Sequence, residues 1–271
     1  MIANTPPVVL VYAPLDPTGT QYLPADTLSC AALGCHALSV VTATHIQDTL
    51  HTERIVLSAP DLMYEQMRCL LEDIRVHSIK AGPLYCIDSV SVLAQIVADY
   101  TELPLIVHLQ SIPHQELLTD DIEVADTLEA LFQLVLPQCD IAVADQTLLA
   151  QWQSDGLLPE HTDPVVSLLE LGTQWVLHSS YSPHQAGISY QLHNQSGLQQ
   201  QWHQPANRGQ AHDTEALLST AISAYLAQQH SVPQACAMAI DYTSRVSSRI
   251  FQAGMGTPII NPALVYPSAL L

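Results

Sequence analysis

Residues 8–12 read Val-Val-Leu-Val-Tyr, and residues 16–26 read Asp-Pro-Thr-Gly-Thr-Gln-Tyr-Leu-Pro-Ala-Asp. The first stretch is short, continuous and apolar, which predicts a buried strand. A helix is predicted over Ala25–Leu33, with Pro24 near its start. A strand, a polar loop and a helix in this order are typical of the first βα unit of an α/β protein.

The same alternation continues along the chain. Further strands are predicted at Ala37–Thr44, Ser78–Ala81, Leu103–Leu109, Ile141–Ala144 and Trp175–Leu177, with a hairpin joining Gly187–His193 to Leu198–His203. Helices are predicted at Pro60–Ile74, Ser89–Asp99, Asp120–Val135, Thr147–Gln153, Asp163–Leu171, Asp213–Gln229 and Val232–Phe251. The tail from Gly254 is expected to be mostly irregular. Alternating strands and helices predict a largely parallel sheet, and we expect one three-layer α/β/α domain over residues 1–271.

The composition excludes several classes of partner. Of 271 residues, 7 are Lys or Arg and 26 are Asp or Glu, which gives a formal net charge of −19. Nucleic acids and anionic membrane surfaces select for clustered basic residues, so neither is expected as a partner. The same charge repels ATP and other polyanions, although Mg²⁺ could offset this repulsion.

The cysteines and the hydropathy pattern indicate a cytoplasmic protein. The six cysteines form no Cys-x-x-Cys pair and have no zinc spacing, and most lie in apolar runs. We expect them to be reduced core residues. No apolar run approaches the roughly 20 residues that span a bilayer, and no basic segment precedes the apolar run at residues 8–11.

Several motifs occur in the order and spacing of one known family. That family has the loop Asp-Pro-Ser-Gly-Gly-Ala-Gly-Ile-Gln-Ala-Asp, where this chain has residues 16–26. It continues with Ala-Leu-Gly, Gln-Asn-Thr and Ile-Lys-Ile-Gly-Met-Leu, where this chain has Ala32-Leu33-Gly34, Gln47-Asp48-Thr49 and Ile79-Lys80-Ala81-Gly82-Pro83-Leu84. On these motifs the chain resembles the phosphomethylpyrimidine kinases, the thiamine-precursor kinases of the ribokinase superfamily, from Val8 to about Phe251.

The resemblance implies a ribokinase-like fold, with the ligand outside the carboxyl ends of the strands. It assigns Asp26 and Gln47 to reading a pyrimidine-like ligand, Leu84 to an apolar wall, and Gly19 to the loop, where Thr20 and Tyr22 replace two other glycines. His108 stands where the family has an aspartate, and it is assigned to the substrate-binding residues as well. Asp26 has an alternative role as an acid near a helix N-terminus. Relatives in this superfamily often form dimers, so a homodimer is expected.

The phosphate-binding end departs from the family pattern. Phosphoryl transfer needs a cradle of backbone N–H groups, positive charge and a base. The family cradle Gly-Thr-Gly-Cys aligns without gaps to Asp213-Thr214-Glu215-Ala216, and its Val-Lys-Gly-Gly-His aligns to His178-Ser179-Ser180-Tyr181-Ser182. Asp145 replaces an asparagine, and the glutamate that follows in the family is missing. These losses predict impaired or lost catalysis.

A shifted alignment preserves an active kinase. Gly209-Gln210-Ala211-His212-Asp213 then forms a degenerate cradle, with Asp213 as the catalytic base and Arg208 supplying charge. ATP and Mg²⁺ are cofactors only in this case, and no nucleotide-binding residue is assigned. Otherwise Asp213 and Thr214 are a helix N-cap, with Glu215 as an acid of the first turn.

Two further alternatives stay open. His108, His114, His178, His184 and His212 could converge on a metal ion, but no tight metal-binding spacing such as His-Glu-x-x-His occurs, so no metal site is assigned. No Gly-x-Ser-x-Gly motif supports a serine hydrolase. The hypotheses are therefore a catalytically impaired kinase homologue that binds a pyrimidine-like molecule, an active vitamin-precursor kinase, and a partner subunit with a relict pocket.

Overall fold

The computed structural model describes residues 5–182, 187–205 and 214–262. Within these ranges one sheet contains nine strands: β1 (Val8–Leu15), β2 (His36–Gln47), β3 (Thr52–Leu57), β4 (Ser78–Ala81), β5 (Leu105–His108), β6 (Ile141–Asp145), β7 (Trp175–Ser182), β8 (Gly187–Asn194) and β9 (Gly197–Pro205). A separate antiparallel pair joins β10 (Ile250–Phe251) to β11 (Ile259–Ile260).

The sheet is parallel at its centre and antiparallel at its edges. Its order is β3-β2-β1-β4-β5-β6-β7-β8-β9. The six central strands, β2, β1, β4, β5, β6 and β7, run parallel to one another. Strands β3, β8 and β9, toward the two edges, are antiparallel to their neighbours. Central parallel strands are covered on both faces and lack polar alternation, and every residue from 8 to 14 is buried. The predicted mostly parallel α/β fold is confirmed.

Helices cover both faces of this sheet. They are α1 (Tyr22–Ala32), α2 (Pro60–Asp73), α3 (Ile87–Asp99), α4 (Val124–Ala130), α5 (Gln146–Ser154), α6 (Pro164–Glu170), α7 (Glu215–Ala227) and α8 (Val232–Val246). The larger core lies between the sheet and helices α2 to α6, and includes Met63, Val90 and Leu168. Helices α1, α7 and α8 pack on the other face, where Ile106 and Ile222 are fully buried.

Three of the differences from the sequence prediction have a local cause. Strand β3 was not predicted, because its first residues, Thr52-Glu53-Arg54, are polar and it lies at the edge of the sheet beside β2. Helix α8 ends at Val246 rather than Phe251, because Ile250 and Phe251 pair with β11 instead. The segment from Asp120 becomes helical only at Val124, because the Gln115 side chain hydrogen-bonds the backbone of Asp120 and Ile122.

The segment between β10 and β11 is fastened to the loop between β2 and β3. The backbone N–H of Thr257 donates to the carbonyl oxygen of Thr49 at 2.7 Å, and that of Gly256 donates to Thr49 Oγ1 at 3.1 Å. A Cβ atom on Gly256 would overlap the Thr49 carbonyl group. The contact therefore requires glycine at position 256, because only the absence of a side chain permits so close an approach.

We predict that Gly256→Ala detaches this segment from Thr49, at a cost of about 1–3 kcal/mol for the forced overlap. Amide hydrogen exchange of Thr257 measures the change directly, because its N–H is held by the Thr49 carbonyl oxygen. Met255→Ala is the matched control, since Met255 is 87% exposed in the same segment. Equal protection of Thr257 in wild type and Gly256→Ala would contradict the prediction.

Candidate functional site

The candidate site lies at the carboxyl ends of β1, β2, β4 and β5, beside the first turns of α1 and α7. Asp16 is its organising residue, and it is fully buried directly after β1. Its carboxylate accepts hydrogen bonds from the Thr18 backbone at 2.8 Å, the Thr18 hydroxyl at 2.7 Å and the Gln21 backbone at 2.9 Å. These contacts hold the loop in one shape. Sequence reasoning assigned Asp16 no role, although an aspartate following a buried strand was a usable signal.

Two residues of this loop have positive φ angles. Gly19 has φ +74°, which explains why this loop glycine is retained. Tyr22 has φ +55° and stands where the related family has glycine. The left-handed conformation costs a residue with a side chain roughly 1–2 kcal/mol. The Tyr22 ring is buried against His45, with ring centroids 5.3 Å apart, and this packing helps to offset the strain.

Gln47 ends β2, and its side-chain amide is hydrogen-bonded on both sides; its ligand role stays a prediction. Its Nε2 donates to Asp16 Oδ1 at 2.6 Å. Its Oε1 is 2.8 Å from Thr52 Oγ1, which donates to it, and 2.9 Å from His45 Nδ1. Sequence reasoning missed His45 and Tyr85, whose hydroxyl is 3.2 Å from His45 Nε2, because residues 45 and 85 meet only through the fold.

Asp26 lies in a different environment from the one expected for a ligand reader. One of its oxygens is 2.7 Å from the ammonium group of Lys80, and both side chains are almost completely buried. The other oxygen accepts a hydrogen bond from the Thr220 hydroxyl of α7. The two contacts use both carboxylate oxygens. A ligand role for Asp26 stays a prediction. Lys80, the only lysine of the chain, was the missed partner, and its position in an apolar strand was the signal.

His108 and Leu84 are also buried. His108 ends β5, is 3% exposed, and has no hydrogen-bond partner at Nδ1 among the described residues. Burial, and then the charge of Lys80, lowers the pKa of His108 to about 3, so the ring is neutral. Leu84 is 8% exposed and belongs to the larger core. Their predicted ligand contacts are not tested by this geometry.

The first residue of α7, Glu215, contacts β7 through its carboxylate. Ser179 Oγ donates to Glu215 Oε1 at 2.6 Å. Thr214, which precedes the helix, and Ala216 are buried. Ser179 aligns with the phosphate-binding lysine of the related family, and Glu215 aligns with the second glycine of its cradle. Asp213, the predicted base, lies outside the described residues, as do Arg208 and Gly209.

A cavity of about 30 Å³ lies between the starts of α1 and α7. It is lined by Thr20, Gln21, Ala25, Asp26, Ser29, Ala216, Leu217, Ile260 and Pro262. This volume suits about one water molecule. A pyrimidine-sized ligand does not fit in this cavity, and Gln47 is not among the residues that line it.

Two of the histidines of the metal alternative, His108 and His178, lie on opposite faces of the sheet. His108 lies two residues after Ile106 and so shares its face of the sheet, which α7 and α8 cover. His178 lies two residues after Val176 and shares the opposite face, which α5 and α6 cover. His184 and His212 lie outside the described residues. In residues 5–182, 187–205 and 214–262 no group of three metal-binding side chains has a suitable arrangement.

Comparison with known proteins identifies related sequences and folds. The family described as Phosphomethylpyrimidine kinase matches residues 16–261. The hydroxymethylpyrimidine/phosphomethylpyrimidine kinase of Streptomyces coelicolor is 26% identical over 257 residues, 93% of each chain. The kinase of the same name from Mycobacterium tuberculosis is 28% identical over 270 residues, 95% of this chain and 94% of the relative.

Two solved structures illustrate the shared fold. The pyridoxal kinase of Staphylococcus aureus superimposes with a TM-score of 0.82 at 15% identity, covering 96% of this chain and 94% of that chain. The phosphomethylpyrimidine kinase of Clostridium difficile superimposes with a TM-score of 0.70 at 18% identity, covering 88% of this chain and 99% of that chain. At these identities the likeness shows the fold alone.

We predict that Lys80→Met lowers the free energy of unfolding by about 3–5 kcal/mol, because it leaves the Asp26 carboxylate buried without its counter-charge. Urea denaturation at neutral pH measures the loss. Arg68→Met is the control, since Arg68 pairs with Glu65 and Glu72 on the exposed side of α2, where such pairs contribute under about 1 kcal/mol. Equal losses in both variants would refute the special role of the buried pair.

We predict that His108 contributes to loss of stability in acid. The unfolded histidine has a pKa of about 6.5, and the folded one about 3. Between these values the unfolded chain binds a proton that the folded chain does not. Stability is therefore complete above pH 6.5 and falls toward pH 3, by up to about 1.4 kcal/mol per pH unit for this group.

The measurement is urea denaturation at a series of pH values. His108→Gln should reduce the slope of unfolding free energy against pH below pH 6.5, whatever its effect at neutral pH. His161→Gln, at an exposed position, should leave the slope unchanged. An unaltered slope in His108→Gln would show that this histidine is not held neutral by the fold.

Proposed function

Because the chain belongs to the phosphomethylpyrimidine kinase family, we propose that it binds a pyrimidine-like small molecule and that its phosphoryl transfer is impaired. The binding end would be the carboxyl edge of β1 and β2. The transfer end would be the start of α7. The two ends use different elements, so one can be retained while the other is altered.

The polar network around Gln47 supports the binding half of the proposal. An amide held by buried partners is preorganised, which reduces the entropy lost when a ligand binds. Gln47 would read the pyrimidine edge, with Gly19 shaping the loop. Asp26 and His108 would also contact the ligand. Asp26 would first have to give up its contact with Lys80 or with Thr220. Leu84 would provide an apolar wall.

The contact between Ser179 and Glu215 carries the transfer half of the proposal. In the related family, lysine and glycine at these positions supply positive charge and backbone N–H groups to the phosphate. Here a hydroxyl donates to a carboxylate at 2.6 Å. A carboxylate about 4 Å from a phosphate charge costs on the order of 4 kcal/mol at an effective dielectric constant of about 20. The substitutions therefore oppose phosphate where the family attracts it.

An active kinase is the second candidate, and family membership favours it. In that case Asp213 is the base, and ATP with Mg²⁺ is the phosphate donor. Asp145 offers one oxygen to a metal ion, because its Oδ1 already accepts the Leu148 N–H at the start of α5. Arg208 would supply positive charge beside the transferred phosphate.

The remaining parts of the proposal concern organisation. We propose a single domain over residues 1–271, supported by one sheet that runs from Val8 to Pro205 and by α7, which contacts β1, β4, β5 and β6. A homodimer and a cytoplasmic location are proposed by analogy with the family. Among the described residues, no helix combines the length and apolar character that crossing a membrane requires.

The test is calorimetric titration with hydroxymethylpyrimidine and separately with Mg-ATP, together with a phosphoryl-transfer assay. Wild type should bind the pyrimidine and show neither tight Mg-ATP binding nor transfer. Gln47→Met should lose pyrimidine binding. Gln47→Met is preferred to Asp26→Ala for this test, because Asp26→Ala would leave the buried Lys80 without its carboxylate partner.

Two substitutions at Glu215 separate charge from shape. Glu215→Gln removes the charge and keeps the volume, and Glu215→Gly with Ser179→Lys restores the family pattern. Mg-ATP affinity should rise in both, by up to roughly 1,000-fold from the charge alone, and more in the second. Efficient transfer by wild type, lost in Asp213→Asn, would replace this proposal by the active kinase. Failure of wild type to bind either ligand would refute the assigned pocket.

A further inference from the structure

The hydrogen bonds around Gln47 determine which way its amide faces. The Asp16 carboxylate is a hydrogen-bond acceptor, so the Gln47 atom 2.6 Å from it must be the donor, Nε2. The oxygen Oε1 must then face Thr52 and His45, at 2.8 and 2.9 Å. The Asp16 carboxylate on one side, and Thr52 and His45 on the other, together favour one of the two orientations of the amide.

This orientation also determines the proton position on His45. Because Oε1 of Gln47 can only accept, Nδ1 of His45 must carry the proton. His45 is 5% exposed, and burial lowers its pKa, so the ring is neutral and Nε2 has a free lone pair. The Tyr85 hydroxyl, 3.2 Å from Nε2, therefore donates to it. The hydrogen bonds of this series are therefore donated in one direction: by Tyr85 to His45, by His45 to Gln47, and by Gln47 to Asp16.

One hydrogen-bonding position of the amide is left over. Oε1 of Gln47 accepts two hydrogen bonds, which use both of its lone pairs. Nε2 carries two protons, and only the one directed at Asp16 has a partner within the described part of the chain. Gln47 is half-buried. The group of this amide left without a partner among the described residues is thus an N–H donor and no acceptor.

We propose that His45 is a positioning residue that, with Tyr85, keeps the Gln47 oxygen turned inward, so that the site selects ligands presenting a hydrogen-bond acceptor to Gln47. The selected class is a heteroaromatic compound with an unprotonated ring nitrogen or a carbonyl oxygen at that position. An exocyclic amino group facing Gln47 is rejected. This selectivity rests on the proposed function, whereas the positioning of Gln47 does not.

Nitrogen-15 NMR of the ligand-free wild-type protein tests the positioning role. The His45 ring should show a protonated Nδ1 and an unprotonated Nε2 at neutral pH. In Tyr85→Phe, which keeps the ring contact but removes the donor, the proportion of the Nε2-protonated form should rise. A wild-type His45 protonated at Nε2 instead would overturn the proposal, whatever the ligand.

Ligand titration tests the selectivity with two substitutions of one residue. The probes are hydroxymethylpyrimidine and its two analogues in which one ring nitrogen is replaced by C–H. Wild type should bind one analogue about tenfold more weakly, the effect of one lost hydrogen bond. His45→Leu removes one of the two donors to Gln47 Oε1, leaves Thr52 and Asp16 in place, and should therefore reduce this discrimination. His45→Asn can still donate and should largely keep it.

The outcomes separate the two proposals. Full discrimination in His45→Leu would overturn the role of His45. If wild type binds none of the probes, the proposed ligand class and its selectivity fail, and the NMR result still decides whether His45 positions Gln47. If wild type binds hydroxymethylpyrimidine and both analogues with equal affinity, only the proposed selectivity is refuted.

Discussion

The buried ion pair between Asp26 and Lys80 joins the elements on which the candidate site is built. Asp26 belongs to α1, Lys80 to β4, and Thr220 of α7 contacts the same carboxylate. Two charges with almost no solvent contact are tolerated only with good geometry and further hydrogen bonds. The pair therefore restricts how α1 and α7 can lie over the sheet. Those two helices begin on either side of the cavity of about 30 Å³.

A second anion, Asp16, defines the loop between β1 and α1. Three donors from Thr18 and Gln21 surround its carboxylate, and Gln47 completes the set. This arrangement helps to hold the loop in a conformation with a positive φ at Tyr22, where the related family has glycine. The hydrogen bonds to Asp16 and the buried Tyr22 ring together stabilise a conformation that the residue alone disfavours.

Much of the fold followed from local patterns. Continuous β-branched runs identified the central parallel strands, and Asn194-Gln195-Ser196-Gly197 identified the hairpin of β8 and β9. Strand β3 was missed because an edge strand needs no continuous apolar run. In the site, the role of Gln47 was predicted from a family motif. His45 and Tyr85 were missed because residues that meet only through the fold leave no spacing in the sequence. Asp16 and Lys80 were missed although a charged residue directly after or within a buried strand was a usable signal.

The two ends of the site differ in how completely their polar groups are paired with one another. Around Gln47 the anion, the imidazole and the amide form an ordered series of donors and acceptors, with one donor left for a ligand. At the start of α7, Glu215 accepts a hydrogen bond from Ser179 and contributes one of the negative charges that give the chain its formal net charge of −19. A neutral heteroaromatic ligand is compatible with both features, because it needs hydrogen bonds and no counter-charge. A polyanion needs positive charge as well as backbone donors, and here a neutral serine aligns with the family's lysine and a glutamate with its second cradle glycine. Under the proposed function, ligand binding therefore depends on the network around Gln47, and phosphoryl transfer depends on the start of α7.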